Sequence, residues 1–141
     1  MSELLNRRPT NGFVLSVFAV AVAVSVVHYL DNTFNYGDYP SSDSVPQPSQ
    51  GLVAFGWFFF TAFGIAAVLR LREGTDRAAA ICLAVYSGSG LVGVGHYTVP
   101  GAVDMPWWRQ AHIAADITCG IVLFVTALRL ARATRPAAVS V

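Results

Sequence analysis

The stretch GFVLSVFAVAVAVSVVHYL, residues 12–30, decides the fold of this chain. It contains no Asp, Glu, Lys or Arg, and a helix of this length can cross the ~30 Å hydrocarbon core of a bilayer. Three further apolar blocks of similar length follow, at residues 51–69, 78–97 and 111–130. The sequence therefore predicts an all-α integral membrane four-helix bundle that forms one domain over residues 1–141.

The composition excludes an ordinary soluble protein. Hydrophobic residues make up 55% of the chain and charged residues 12%, whereas soluble domains carry about 25% charged residues. The net charge of +1 provides no extended basic surface, so we expect no nucleic-acid partner. The first block is longer than the ~7–15 residue core of a signal peptide and is interpreted as a retained helix. The expected partner is the lipid bilayer, and the expected location is the cell membrane, with several spans.

The arginines predict the orientation of the chain. There is no lysine, and eight of the nine arginines fall at block ends that share one side of the bundle. These are Arg7, Arg8, Arg70, Arg72, Arg77, Arg129, Arg132 and Arg135. Because positive residues near helix ends stay in the cytoplasm, both termini are expected to be cytoplasmic. Residues 31–50 and 98–110, which include Arg109, then form the outer loops.

The candidate chemistry lies at the outer ends of the helices, where all three histidines occur: His28, His96 and His112. Asp31 follows His28 by three residues, and Asp116 follows His112 by four, so each pair shares a helical face. Imidazole and carboxylate groups suit zinc, copper or iron, and helix bundles build such sites from facing helices. The three histidines are therefore predicted metal ligands, and haem with an axial histidine is an alternative cofactor.

Asp116 and Asp31 are the candidate catalytic residues. Asp116 lies more than a turn inside the last block, where an acid is costly unless it is paired. With a bound metal, either carboxylate would accept a proton from metal-bound water or orient an imidazole ligand. A purely structural hydrogen-bonded network is an equally weighted interpretation.

Aromatic residues surround this region. Residues 55–61, FGWFFFT, would form a wall for a flat or lipid-like ligand such as a quinone or a sterol, although lipid-facing aromatics near the interface explain them equally well. Phe34, Tyr36 and Tyr39 in the first outer loop fit an interfacial belt better than a lid over the bundle.

These patterns predict a small polytopic membrane protein whose outward-facing His/Asp site binds a transition metal or a metal-bearing cofactor and acts on a lipophilic substrate. Enzyme and binding protein both remain open. One alternative is a non-enzymatic subunit or scaffold, in a homo-oligomer or a larger membrane complex, with a structural polar cluster. Another is a transport component for a small molecule, a proton or an ion, which the nearly apolar path inward past Cys119 disfavours.

Overall fold

A computed structural model describes residues 7–44 and 46–134, and its long elements are four α-helices. They are α1 (Asn11–Phe34), α2 (Gln50–Arg72), α3 (Asp76–Leu91) and α4 (Trp107–Ala133). A 3₁₀ segment, Val92–Thr98, continues α3, and the described residues contain no strand. The predicted all-α, four-helix architecture is confirmed. By length and composition all four helices can cross a membrane, which is compatible with the predicted multi-pass protein.

Helix α1 begins one residue before the predicted block, 12–30, and ends four residues after it. The Thr10 hydroxyl accepts a hydrogen bond from the backbone N–H of Phe13 at 3.2 Å and caps the helix start. At the other end α1 continues to Phe34, so His28 lies in the body of the helix rather than in its last turn.

Each helix packs against its sequence neighbours, and α4 closes the ring by packing against α1. Glycines allow α3 and α4 to approach most closely. A Cβ on Gly90 would overlap the carbonyl oxygen of Asp116, and a Cβ on Gly120 would lie 2.9 Å from the carbonyl oxygen of Ser87. The glycine-rich run of α3 thus serves close helix packing, as expected for small residues in membranes.

The two ends of the bundle differ in character. The arginine-rich end contains most of the apolar core and an ion pair between Arg8 and Asp76 with an N···O distance of 2.6 Å. The opposite end contains the three histidines and Arg109. The described arginines follow the predicted pattern, while Arg135 lies outside the described residues. The orientation of the bundle in a membrane stays a prediction.

Candidate functional site

A buried histidine–carboxylate pair links α1 to α4. The Nδ1 atom of His28 lies 2.8 Å from Oδ2 of Asp116, and both side chains are 3% exposed. Asp116 needs such a partner because the helix backbone around it satisfies its own hydrogen bonds and leaves the carboxylate unsolvated. The carboxylate accepts a hydrogen bond from Nδ1–H, which leaves Nε2 as the reactive nitrogen of neutral His28.

That nitrogen faces a second histidine. The Nε2 atoms of His28 and His96 are 3.3 Å apart, and the Asn32 side-chain amide lies 3.2 Å from Nε2 of His96. When His28 is neutral, a hydrogen bond between the rings needs the proton on Nε2 of His96. When His28 carries protons on both nitrogens, it donates to His96 and Asp116 balances its charge. The two states differ by one proton, and the Asn32 amide can donate or accept to match either one.

Asp31 lies in a different setting, at the outer end of α1. Its Oδ2 atom accepts hydrogen bonds from Arg109 Nε at 2.9 Å and from the Tyr39 hydroxyl at 2.6 Å, and its Oδ1 atom accepts one from Asn35 at 2.7 Å. Burial and the neighbouring Asp31 carboxylate raise the pKa of the Tyr39 phenol well above its usual range, so this hydroxyl remains a donor. Asp31 thereby connects the first outer loop to α4.

The Arg109 guanidinium is enclosed by aromatic rings. It lies 4.7 Å from the ring centroid of Tyr39 and 5.0 Å from that of Trp108. It also donates to the backbone carbonyl of Asp38 at 3.2 Å. These contacts hold Tyr39 over the bundle, with its ring centroid 4.8 Å from that of His96. The lid interpretation therefore describes Tyr39, and the belt interpretation was wrong for this residue.

His112 lies close to the Asp31 carboxylate and to the His28 ring but forms no aligned hydrogen bond with either. Its Nε2 atom is 3.2 Å from Oδ2 of Asp31, and its ring centroid is 5.4 Å from that of His28. Neither ring nitrogen of His112 has an aligned hydrogen-bond partner among the described residues, and both are buried. The structure thus brings the three histidines side by side, with His28 in the middle.

The predicted metal site lacks support from this arrangement. Within residues 7–44 and 46–134, no group of three or more His, Cys, Asp or Glu side chains is positioned to hold a metal ion. The two carboxylates that could have joined the histidines as ligands already have other partners: Asp116 is bonded to His28, and Asp31 is bonded to Arg109. The sequence predicted that the three histidines and two aspartates lie close together at one depth. It did not predict which of their side chains form pairs.

A chamber of about 490 Å³ adjoins the two facing histidines. His28, Asn32 and His96 form its polar end. Its apolar wall includes Leu52, Val53, Phe55, Phe59, Phe60, Val92 and Val99.

The aromatic residues of α2 are divided between the two predicted roles, a wall for a ligand and a lipid-facing surface. Phe55, Phe59 and Phe60 line the chamber, whereas Phe58 lies outside the lining and is 67% exposed. Phe55 of α2 and Val92 of the 3₁₀ segment line the chamber and are also largely exposed.

The tyrosine hydroxyls around the chamber bond to protein. Tyr29 donates to the Ser89 carbonyl at 3.1 Å and Tyr36 to the Pro48 carbonyl at 2.7 Å, while Tyr39 bonds Asp31. Gln47 and Thr98 also line the chamber, and their side chains donate to the carbonyls of Pro40 and Gly95. A molecule in the chamber would therefore meet His96 and Asn32 as the polar neighbours at its histidine end. Asn32 was not among the site residues predicted from the sequence, although its position four residues after His28 places it on the same helical face.

Comparison with known proteins finds no matching family model, no similar curated protein and no similar solved structure. The geometry of the site is therefore the basis for its function, in an all-helical protein whose four long apolar helices are compatible with a membrane protein.

Proposed function

We propose that this protein binds a lipophilic molecule with one polar end in the chamber, and exchanges a proton with it through Asp116, His28 and His96. The observation that carries the proposal is the junction of an apolar chamber with two facing imidazoles, one of which bonds a buried carboxylate. A mostly apolar cavity with a few convergent polar groups is typical of small-molecule sites.

Each of the three residues has a distinct role in this proposal. His96 contacts the hydroxyl or carbonyl oxygen of the ligand and donates or accepts the proton. His28 receives that proton from His96, or supplies it, across the 3.3 Å between their Nε2 atoms. Asp116 holds His28 in one tautomer and balances the positive charge of its doubly protonated form. General acid–base catalysis of this kind typically contributes about 10²–10⁴-fold to a rate.

The ligand reaches the chamber from the membrane. Phe55 is 61% exposed and Val92 is 58% exposed. They lie on two different spans, each long and apolar enough to cross a bilayer. Tyr36, Tyr39, Pro40 and residues 46–48 of the first outer loop also line the chamber. This geometry favours an amphiphile dissolved in the leaflet at the histidine end, in keeping with the lipophilic substrate expected from the sequence.

Filling the chamber tests the proposal. Gly56 lines it, and the nearest atom to a Cβ built there is Cε1 of Tyr29 at 4.0 Å, so Gly56→Leu adds bulk without a severe clash. Gly51→Leu on the same helix is the matched control, because a Cβ there meets nothing within 4 Å and the residue lies outside the lining. Organic extraction and mass spectrometry of the purified proteins should find a lipophilic molecule in wild type and Gly51→Leu and much less of it in Gly56→Leu. Equal amounts in all three, or none in wild type, would reject the chamber as the binding site.

A metal-assisted version of the site is the second candidate, favoured by one distance. Two imidazole nitrogens bound tetrahedrally to zinc at about 2.0–2.1 Å lie roughly 3.3–3.4 Å apart, and the Nε2 atoms of His28 and His96 are 3.3 Å apart. In this version His28, His96 and His112 would hold zinc, copper or iron, and the metal would supply activation of a bound water molecule. If the cofactor were haem, His96, which lines the chamber, would be the residue that holds its iron.

Metal and haem content distinguish the two candidates. In the metal-assisted version, elemental analysis should find a stoichiometric metal in wild type that is lost in His28→Ala, His96→Ala and His112→Ala. The haem version predicts a visible absorption band that disappears in His96→Ala. Wild-type protein without metal or haem would discard the second candidate and leave the proton-transfer proposal in place.

A further inference from the structure

A second cavity, separate from the histidine chamber, lies between α3 and α4 at the arginine-rich end. It is a groove of about 370 Å³ on the outside of the bundle. Four alanines line it: Ala80, Ala84, Ala127 and Ala131. Ile81 and Leu128 flank them and are 61% and 40% exposed. Because alanine side chains end at Cβ, the groove stays open and apolar along both helices.

A cation lies at one end of this groove. Arg77 lines it and is exposed. Within the described part of the chain Arg77 forms no ion pair, and the neighbouring Asp76 is bonded to Arg8 through both of its carboxylate oxygens. The lining itself contains no Asp or Glu. Among the described residues, the groove therefore combines an apolar slot, with Thr134 as its polar neighbour, and the positive charge of Arg77 with no acid in the lining to offset it.

We propose that this groove binds an anionic phospholipid, with an acyl chain between α3 and α4 and the phosphate on Arg77. A guanidinium recognises phosphate through charge and paired N–H donors. Basic groups near helix ends attract the anionic lipids of the cytoplasmic leaflet, and the positive-inside rule assigns the arginine-rich end to that leaflet. The proposal is independent of the function assigned to the histidine chamber.

A second copy of the chain is the competing occupant. Alanines four residues apart on both helices allow close helix packing in membranes. A two-fold pair through this face would, however, bring the same groove of each copy together, with Arg77 of both copies near one another and no acid in the lining to offset them. The charge on the groove thus favours a lipid over self-association.

Native mass spectrometry of the full chain in detergent, with phosphatidylglycerol or phosphatidylcholine added, tests the proposal. Wild type should retain phosphatidylglycerol about fivefold more strongly than phosphatidylcholine, the preference expected for one basic residue at a membrane surface. Arg77→Gln should remove the preference. Arg72→Gln is the matched control and should keep it, since Arg72 ends α2 at the same end of the bundle and does not line the groove.

A second variant tests the acyl-chain slot. Ala84→Leu should lower the retention of both lipids, because the larger side chain fills the groove. If this variant does not fold, the comparison of Arg77→Gln with Arg72→Gln decides alone. No lipid preference in wild type, equal loss in both arginine variants, or a dimer that Ala84→Leu dissociates would overturn the proposal, and the last result would assign the groove to a second copy.

Discussion

The pair of His28 and Asp116 should contribute measurably to the stability of the bundle. The perturbation is a double-mutant cycle made of His28→Ala, Asp116→Ala and the double variant. At 2.8 Å and with both side chains 3% exposed, the two groups form a hydrogen bond with a charged acceptor that water does not weaken. Such bonds contribute about 1.5–3 kcal/mol, so we expect a coupling free energy in that range.

The single variants should each cost more than the coupling itself, because each leaves a buried polar group without its partner. Unfolding in mixed micelles with increasing sodium dodecyl sulfate, followed by circular dichroism, measures all four proteins. Arg70 and Glu73 provide the control cycle: their ion pair spans 2.9 Å but the side chains are 53% and 54% exposed, so a coupling of at most about 0.5 kcal/mol is expected. A coupling for the buried pair as small as that of the control would refute the reasoning.

Two further predictions concern buried hydroxyls and topology. Tyr29→Phe should lower the free energy of unfolding by about 0.5–1.5 kcal/mol because it removes a hydrogen bond. Tyr86→Phe should be neutral or stabilising, since the buried Tyr86 hydroxyl has no aligned partner in the described residues. Unfolding in the same micelles measures both variants, and equal losses of stability would contradict the assignment. Cysteines introduced at Ser41 and Val103, in a background without native cysteines, should react with a membrane-impermeant maleimide in intact cells because the arginine pattern places both loops outside. Reaction only after lysis would reverse the orientation.

Most of the fold could be predicted from the sequence because the bilayer imposes a simple rule on it. Each span must be apolar and long enough to cross, and residues 12–30 already satisfy that rule without any tertiary information. The helix ends were harder to predict. Asp31 and Asn32 look like loop residues by polarity, yet α1 includes both, since tertiary contacts with Arg109 and His96 stabilise the extra turn.

The pairing of the site residues could not be predicted in the same way. Spacing places His28 beside Asp31 and His112 beside Asp116, each pair within one helix. In the structure the closest contacts run between helices instead, from His28 to Asp116 and from His112 to Asp31. The reason is geometric: side chains that share a helical face point in similar directions, toward a neighbouring helix about 8–10 Å away, and meet the side chains of that helix. Sequence periodicity identifies the face, but it cannot identify the partner across the interface.

Asp31 and Asp116 differ in whether their partner can change its protonation state. This difference indicates where proton transfer would take place. The main partner of Asp31 is Arg109, whose guanidinium keeps its proton at any physiological pH, so the charge balance of that pair is fixed. The partner of Asp116 is an imidazole, which can hold either one proton or two on its ring nitrogens. A proton can therefore be added to or removed from the inner pair while the outer pair stays intact and holds Tyr39 against His96. On this reasoning the predicted catalytic role suits Asp116 better than Asp31, whose contacts suit the positioning of the loop that covers the chamber.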